Sequence, residues 1–561
     1  MLQIRCKNNN VTKSVPEGSS LLEIFPEFGL NFTLPPITAK VNNASQGLKF
    51  RLYQNRDVEY LDIQSHSGMR VYIRSLCFVL CKAVQDVLPG AKLYIEHPIS
   101  RGYYCNIIKT AGDNSRTRGI SEKEINDIYE RMREIVSLDI PFRRNEVPTE
   151  EAIRIFHDRG FVDKVKLLET SGSVYTYYYT LGDTVDFYYG PLVPSAGYLT
   201  VFGLEKYGDE GILLRIPDRK NPSQLAERTA QPMTFEAYKE KVKWDVIMHM
   251  ANAGDVNKAC EQGRASELIQ VSEALQEKKI VKIAEEIETR YRNNGLKLVL
   301  ITGPSSSGKT TFCKRLSVQL LACGLRPLSF STDDYFVNRV DTPLLPNGQY
   351  DFDNFETVDY KLLGEHLNKL LEGKEVEIPE YNFTTGEREW NGKKLRIKDN
   401  HVLIIEGIHA LNPRLTENVA DDRKYKIYTS VLTSISLDNH NWVPTRDNRL
   451  LRRIIRDYNK GAFSAQETIR QWPNVCESEE QWIFPYQENA DVMFNSALNI
   501  EFAVLRNHAE PILQSVPKNC PEYAESHRLL KFIHYFTPIP DKDIPPTSIM
   551  REFVGGSSFK Y

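Results

Sequence analysis

The stretch Leu296-Lys-Leu-Val-Leu-Ile-Thr-Gly-Pro-Ser-Ser-Ser-Gly-Lys-Thr310 decides the fold of the C-terminal half. Its opening run Leu296–Ile301 is apolar except for Lys297, which reads as a short buried strand. The strand leads directly into Gly303–Thr310, which satisfies G-x-x-x-x-G-K-[ST] at every fixed position. A helical pattern over Thr311–Cys323 follows and stops at Gly324. Strand, glycine-rich loop and helix together make a phosphate cradle. The glycines let backbone N–H groups turn inward, and the helix N-terminus adds partial positive charge. The candidate ATP-binding residues are therefore Gly303, Pro304, Ser305, Ser306, Ser307, Gly308, Lys309, Thr310 and Thr311. Lys309 can reach the β- and γ-phosphates, and the Thr310 hydroxyl suits Mg²⁺.

Outward from the loop, two further strand patterns end in carboxylates. Leu328-Ser-Phe-Ser-Thr332 leads to Asp333-Asp334, and His401-Val-Leu-Ile-Ile405 leads to Glu406-Gly407. Ligands of open α/β sheets bind at the carboxyl ends of the strands. Asp333 is thus the candidate base for an attacking hydroxyl, and Glu406 a candidate Mg²⁺ residue beside Thr310. Solvated turn acids would give the same pattern without the neighbouring loop. Arg449, Arg452, Arg453 and Arg456 recur at i, i+3, i+4 and i+7, so they share one helix face and need an anion opposite. With Lys309 they are expected to neutralise a moving phosphoryl group, as a lid. The same spacing also fits a solvated face or a nucleic-acid patch.

At 561 residues the chain is too long for one core. Apolar residues at 41% and charged residues at 26% exclude a largely disordered chain. The 71 basic and 74 acidic residues leave a formal charge of -3, which argues against a polyanion binder over the whole surface. Nine cysteines without a CxxC pair indicate reduced thiols, not a disulfide framework or zinc ribbon. No signal peptide is visible, and Val71–Val84 falls short of the ~20 apolar residues that cross a bilayer. A cytoplasmic protein with no membrane partner is expected.

Four blocks are expected. Residues 1–62 alternate as short strands, including Leu2–Cys6, Ile37–Val41 and Phe50–Tyr53. Residues 63–225 mix elements: a helix over Ile120–Ser137 with Ser121 and Glu124 as capping box, and strands over Ser173–Tyr179 and Tyr198–Leu204. Residues 226–293 read as a helical connector, and 294–561 as a P-loop domain. The fold class is multidomain α/β: a doubly wound parallel sheet at the C-terminus, a small β-rich domain and an α+β domain at the N-terminus.

The C-terminal block resembles the uridine kinase/phosphoribulokinase family of P-loop kinases over about residues 296–510. The matching pieces are GPSSSGKTT, STDDYF, Tyr350–Asp359, IPEYNF, VLIIEGIHAL, the arginine-rich helix and Asn489–Val492. The resemblance implies transfer of the ATP γ-phosphoryl group to a primary hydroxyl, with ATP and Mg²⁺ and with Asp333 as base. It gives Asp353 the ribose hydroxyls and Tyr381 the base pocket, with Phe336 and Arg388 also on the substrate side. Departures from the uridine kinase pattern stand at Asn382 and Gly386, at Phe336, and at Gly461-Ala462 beyond the lid helix. Phosphoryl transfer is better supported than pyrimidine specificity.

Residues 1–62 resemble a TGS domain, and residues 63–225 the second additional, editing domain of threonyl-tRNA synthetases. His66-Ser-Gly-Met-Arg70, Leu88-Pro-Gly-Ala-Lys-Leu93, Gly102–Tyr104 and Asp186–Gly197 carry that likeness. Where the family has two His, one Cys and one further His around a metal, this chain has His66, Arg70, Tyr188 and Leu192. One imidazole without a thiolate does not make a three- or four-ligand site, so editing hydrolysis is not expected. No aminoacylation core follows, so the chain is not a synthetase.

The sequence thus points to a nucleoside kinase acting on a small-molecule nucleoside as a homo-oligomer, with RNA or tRNA contact through the front half. Two alternatives stay open: a kinase for a phosphosugar or pantothenate, and an RNA-linked ATPase or switch. A base at Asp333 argues against the switch, which has no acceptor hydroxyl to deprotonate.

Overall fold

The computed structural model describes residues 1–110, 116–345, 348–433 and 435–560. Leu2–Cys6 buries every second residue, as its alternation requires, and sits inside a five-stranded sheet. The order is Val11–Val15, Leu2–Cys6, Arg56–Leu61, Thr38–Val41, Ala44–Gly47. Phe50–Tyr53 is not a strand. Its backbone bonds the capping turn instead, Leu21 N–H to Phe50 O at 3.0 Å and Leu52 N–H to Ser19 O at 2.9 Å.

The next block is built on the buried helix His66–Val87, which carries the apolar run Val71–Val84. The helix Glu122–Ser137 starts at the expected capping box, with Ser121 and Glu124 bonding reciprocally. Two antiparallel sheets flank them: Phe142–Pro148, Tyr175–Leu181 and Thr184–Asp186 in one, and Lys92–Ile99, Gly102–Thr110, Gly211–Arg215 and Gly203–Tyr207 in the other. Tyr198–Leu204 departs from the expected strand: Ala196–Tyr198 forms a 3₁₀ turn and the strand begins at Gly203. Helices Pro232–Met248, Ala253–Glu261 and Ala265–Asn294 fill the connector. The last ends at Gly295 in the left-handed region, φ 67°.

The C-terminal sheet is parallel throughout, in the order Arg326–Ser331, His401–Glu406, Leu298–Thr302, Lys424–Ser430, Val492–Asn495. Leu298–Thr302, buried at every residue, is the central strand, so the loop after it opens at mid-sheet. Among the described residues no helix is long and apolar enough to cross a membrane. One apolar core is shared between the halves: Phe156, Leu167 and Phe187 from the front, Val256 from the connector, and Leu437, Ile454 and Phe532 from the C-terminal part.

Candidate active site

Gly303–Thr310 leaves the central strand and enters the helix Lys309–Ala322 through Gly308, whose φ of 79° only glycine adopts without cost. Ser306 is also held at positive φ, 59°, a strained position within the cradle. The Ser306 and Ser307 hydroxyls are buried without a partner, free to meet phosphate oxygens. Lys309 Nζ donates to Pro304 O at 3.2 Å. Thr310 Oγ1 donates to a Glu406 carboxylate oxygen at 3.1 Å. Thr311 offers its N–H and hydroxyl to Glu552 of the C-terminal turn Arg551–Val554, at 3.3 and 2.6 Å.

The acids stand around this loop. Gly407 approaches Thr332 so closely that a Cβ there would lie 1.8 Å from its hydroxyl, which brings the turns after the two neighbouring strands together. Burial pushes Glu406 up to about 7; Lys309 opposes the rise, and Asp333 and Glu552 add to it. Burial also raises Asp333, with Lys309 opposing. Its neighbour Asp334 is spent on capping: its carboxylate accepts from Ser331 N–H at 3.3 Å. Burial lifts Asp353 to about 6 against the pull of Arg453. Burial lowers Lys309, although Glu406 and Asp333 favour its charged form. Thr310 and Glu406, with surplus carboxylate nearby, are a donor set that fits Mg²⁺.

On the acceptor side, Phe336 and Tyr381 meet edge to face with centroids 5.4 Å apart. Tyr381 is buried and its hydroxyl has no partner. Arg388 lies opposite Tyr381 in a short hairpin, but its guanidinium is bound to Asp359 at 3.0 Å. His409 carries no role in the sequence reading. It is buried beside Phe355, and burial lowers it to about 4 against the backbone of Asp353 and Asn354, which favours its charged form. The available signal was its place three residues beyond Glu406 at a strand end.

The structure divides the four arginines of the helix Thr445–Asn459. Arg449 and Arg452 are fully buried, and the anions facing them are carboxylates of this chain. Arg449 pairs with Glu479 and donates to Ser305 O at 3.0 Å. Arg452 pairs with Glu501 through both branches and reaches Ser306 O at 3.3 Å. Arg453 donates to the Ser305 hydroxyl at 3.2 Å and to Asp457 at 3.3 Å, and Arg456 bonds Asp457 at 3.1 Å. The expectation of four equivalent cations facing phosphate therefore needs correcting, because two of them have no free donor direction toward solvent. Glu479 was missed by sequence reading; it also accepts from Ser305 N–H at 2.9 Å.

The editing-like positions do not converge on an open pocket. His66 is exposed, Tyr188 and Leu192 are buried, and Arg70 pairs with Glu525 at 3.0 Å. Beside Tyr188 the segment 438–441 of the C-terminal part inserts into the front half. Lys164 pairs with Asp186 at 2.9 Å and Asp438 at 2.8 Å, and His440 bonds the other Asp186 oxygen at 2.7 Å. Cys81, Asp186 and His440 offer donor atoms within 4.8 Å of one another. Burial would discharge the imidazole, but Asp186 overrides it and holds His440 well above its usual range, so the imidazole and Lys164 both serve the Asp186 carboxylate.

Residues 298–501 match the Phosphoribulokinase / Uridine kinase family. The chain is 26% identical over 196 residues to a uridine kinase of Ureaplasma parvum, covering 35% of this chain and 86% of that one. It is 31% identical over 191 residues to a threonine–tRNA ligase of Rubrobacter xylanophilus, covering 34% of this chain but only 28% of the ligase. A solved D-glycerate 3-kinase of Cryptococcus neoformans aligns with 37% of this chain and 87% of its own at 16% identity, TM-score 0.28. The chain thus joins a C-terminal segment that matches the phosphoribulokinase/uridine kinase family model to an N-terminal half similar to the TGS and editing region of threonine–tRNA ligases, and it spans under a third of the length of those ligases.

Proposed function

We propose that this protein is an ATP-dependent kinase that phosphorylates the 5′-hydroxyl of a nucleoside. The observation that carries the reading is the Thr310–Glu406 contact at 3.1 Å, which sets a metal-binding pair at the mouth of a P-loop. The phosphates of ATP lie in Gly303–Thr310, against the Ser306 and Ser307 hydroxyls and the N-terminus of the helix Lys309–Ala322. Thr310 and Glu406 would hold Mg²⁺, which supplies charge screening on the β- and γ-oxygens. Asp333 takes the proton of the acceptor hydroxyl as its oxygen bonds to the γ-phosphorus. The bond from that phosphorus to the β–γ bridging oxygen breaks, and ADP leaves with the electron pair. Burial raises the pKa of this carboxyl, which strengthens it as a base. Lys309 and Arg453 balance the moving charge, whereas Arg449 and Arg452 hold the loop in shape.

A nucleoside is favoured by Asp353 and by the Phe336–Tyr381 pair, whose ring faces and orphan hydroxyl suit a planar base. The test is ADP release against nucleosides, phosphosugars and pantothenate, with Lys309→Ala as blank. One nucleoside raising turnover and yielding its 5′-monophosphate supports the reading. Turnover on a phosphosugar or pantothenate alone replaces the acceptor, and ATP hydrolysis raised only by tRNA replaces the kinase.

A further inference from the structure

A cleft of about 500 Å³ lies between the front sheet, the strands of the next block and the C-terminal helix Tyr523–Ile533. It shares no residue with the P-loop site. Its size falls within the roughly 300–1,000 Å³ typical of small-ligand pockets. The charge on its walls is one-sided: Lys49, Arg51, Arg143, Arg144 and Lys531 against Glu146 alone, five cations to one acid. Among the described residues no carboxylate pairs with Arg143, Arg144 or Lys531. Lys49 donates to Phe142 O at 2.9 Å, Arg51 lies 3.8 Å from Glu23, and Arg144 lies 4.1 Å from the centroid of the Tyr177 ring. Burial lowers Lys49 and Lys531, helped by Arg143 at Lys49 and by Arg144 at Lys531, while Asp139 opposes the shift at Lys49. Phe50 and Tyr177 add aromatic surface.

We propose that this cleft binds a free nucleoside polyphosphate, its phosphates against Lys49, Arg144 and Lys531 and its base against Tyr177 and Phe50. Phosphate calls for unpaired cations, and aromatic faces call for a base. A free nucleotide fits better than a strand. The cleft is walled by three parts of the chain and holds about one nucleotide, while the whole protein carries a formal charge of -3. The ligand would bridge the halves, because Lys531 shares its helix with Glu525 and Arg528, which pair with Arg70 and Asp447. The inference does not rest on the kinase reading.

The test is calorimetric titration of the full chain carrying Lys309→Ala, which weakens the P-loop, with each of the four ribonucleoside triphosphates. Tripolyphosphate and a single-stranded hexanucleotide are the control ligands. A second protein adds Arg144→Ala and Lys531→Ala; neither has an ion-pair partner among the described residues, so the loss of stability should be limited to that of the Arg144–Tyr177 contact, and a melting curve verifies that the chain stays folded at the titration temperature. The expected result is one triphosphate bound per chain, more tightly than tripolyphosphate, and weakened about tenfold or more in the second protein. Equal binding by both proteins, or binding of none of the four triphosphates, would overturn the proposal. So would a hexanucleotide that binds more tightly than every triphosphate, since the occupant would then be nucleic acid.

Discussion

Thr310 donates its hydroxyl to Glu406 across 3.1 Å, tying the first turn of the P-loop helix to the end of the adjacent strand. The sign of the resulting pH dependence follows directly. A carboxyl raised to about 7 keeps its proton below that pH, and a divalent ion must displace it. Mg²⁺ affinity of the ATP-free protein should therefore fall by about tenfold per unit below pH 7 and level off above it. Calorimetry from pH 5.5 to 8.5 reads this. Glu406→Gln should weaken binding and flatten the profile; an unchanged slope would place the metal elsewhere.

Asp333 and Asp334 are adjacent but bonded differently, so their substitutions should separate. Asp333→Asn is expected to keep ATP binding and lower kcat by about 10²–10⁴-fold. Asp334→Ala removes a cap and should cost about 1 kcal/mol of stability while keeping most of the turnover. Lys309→Ala should lower kcat by about 10²–10³-fold in a folded protein. If Asp334 variants are the dead ones, the base has been assigned to the wrong neighbour.

Arg452 and Arg453 follow one another on a helix, yet one is buried in a two-branched pair with Glu501 and the other is part-exposed. Arg452→Met strands a buried carboxylate and should cost about 3–5 kcal/mol. Arg453→Ala should cost under about 1 kcal/mol and act on kcat instead. Denaturant titration beside steady-state kinetics distinguishes the two; equal stability losses would refute the division of roles.

Glu552 caps Thr311 where an incoming phosphate would meet negative charge. Glu552→Gln keeps the shape and removes the repulsion, so the Kd for ATP should drop by about three- to tenfold, most at low salt. A Kd that rises would mean Glu552 helps to bind nucleotide.

Lys164 neutralises Asp186 and Asp438 with no exposed surface. Lys164→Met should destabilise the protein by about 3–5 kcal/mol. Because the network spans both halves, calorimetry should still record one transition. Two separated endotherms would show that the halves unfold independently.

The local grammar of this chain was largely legible. The glycine loop, the strands on either side of it and the Ser121 cap need only neighbouring residues to specify them, and each forms at or within about two residues of its expected position. Phe50–Tyr53 misled because aromatic residues favour strands, while its actual hydrogen bonds go to a turn thirty residues away in sequence. The arginine face misled more instructively. Spacing showed that four guanidiniums share a helix face, but Glu479 and Glu501, which occupy two of them, come from other helices. Periodicity carries no information about such partners. The seating of 438–441 against Asp186 was equally hidden, since nothing local marks that segment as core.

That seating has a consequence for biosynthesis. Asp186 and His440 are separated by 254 positions. At roughly 5–20 residues per second, a ribosome needs about 13–50 s to deliver the second after the first. During that interval the nascent front half has Lys164 and Asp186 without Asp438 or His440, and apolar side chains such as Phe156, Leu167 and Phe187 without their late-arriving neighbours. The first sheet and the core around the helix His66–Val87 have their partners within the front half, so the part whose completion is timed by the C-terminus is the shared core around Phe156, Leu167 and Phe187.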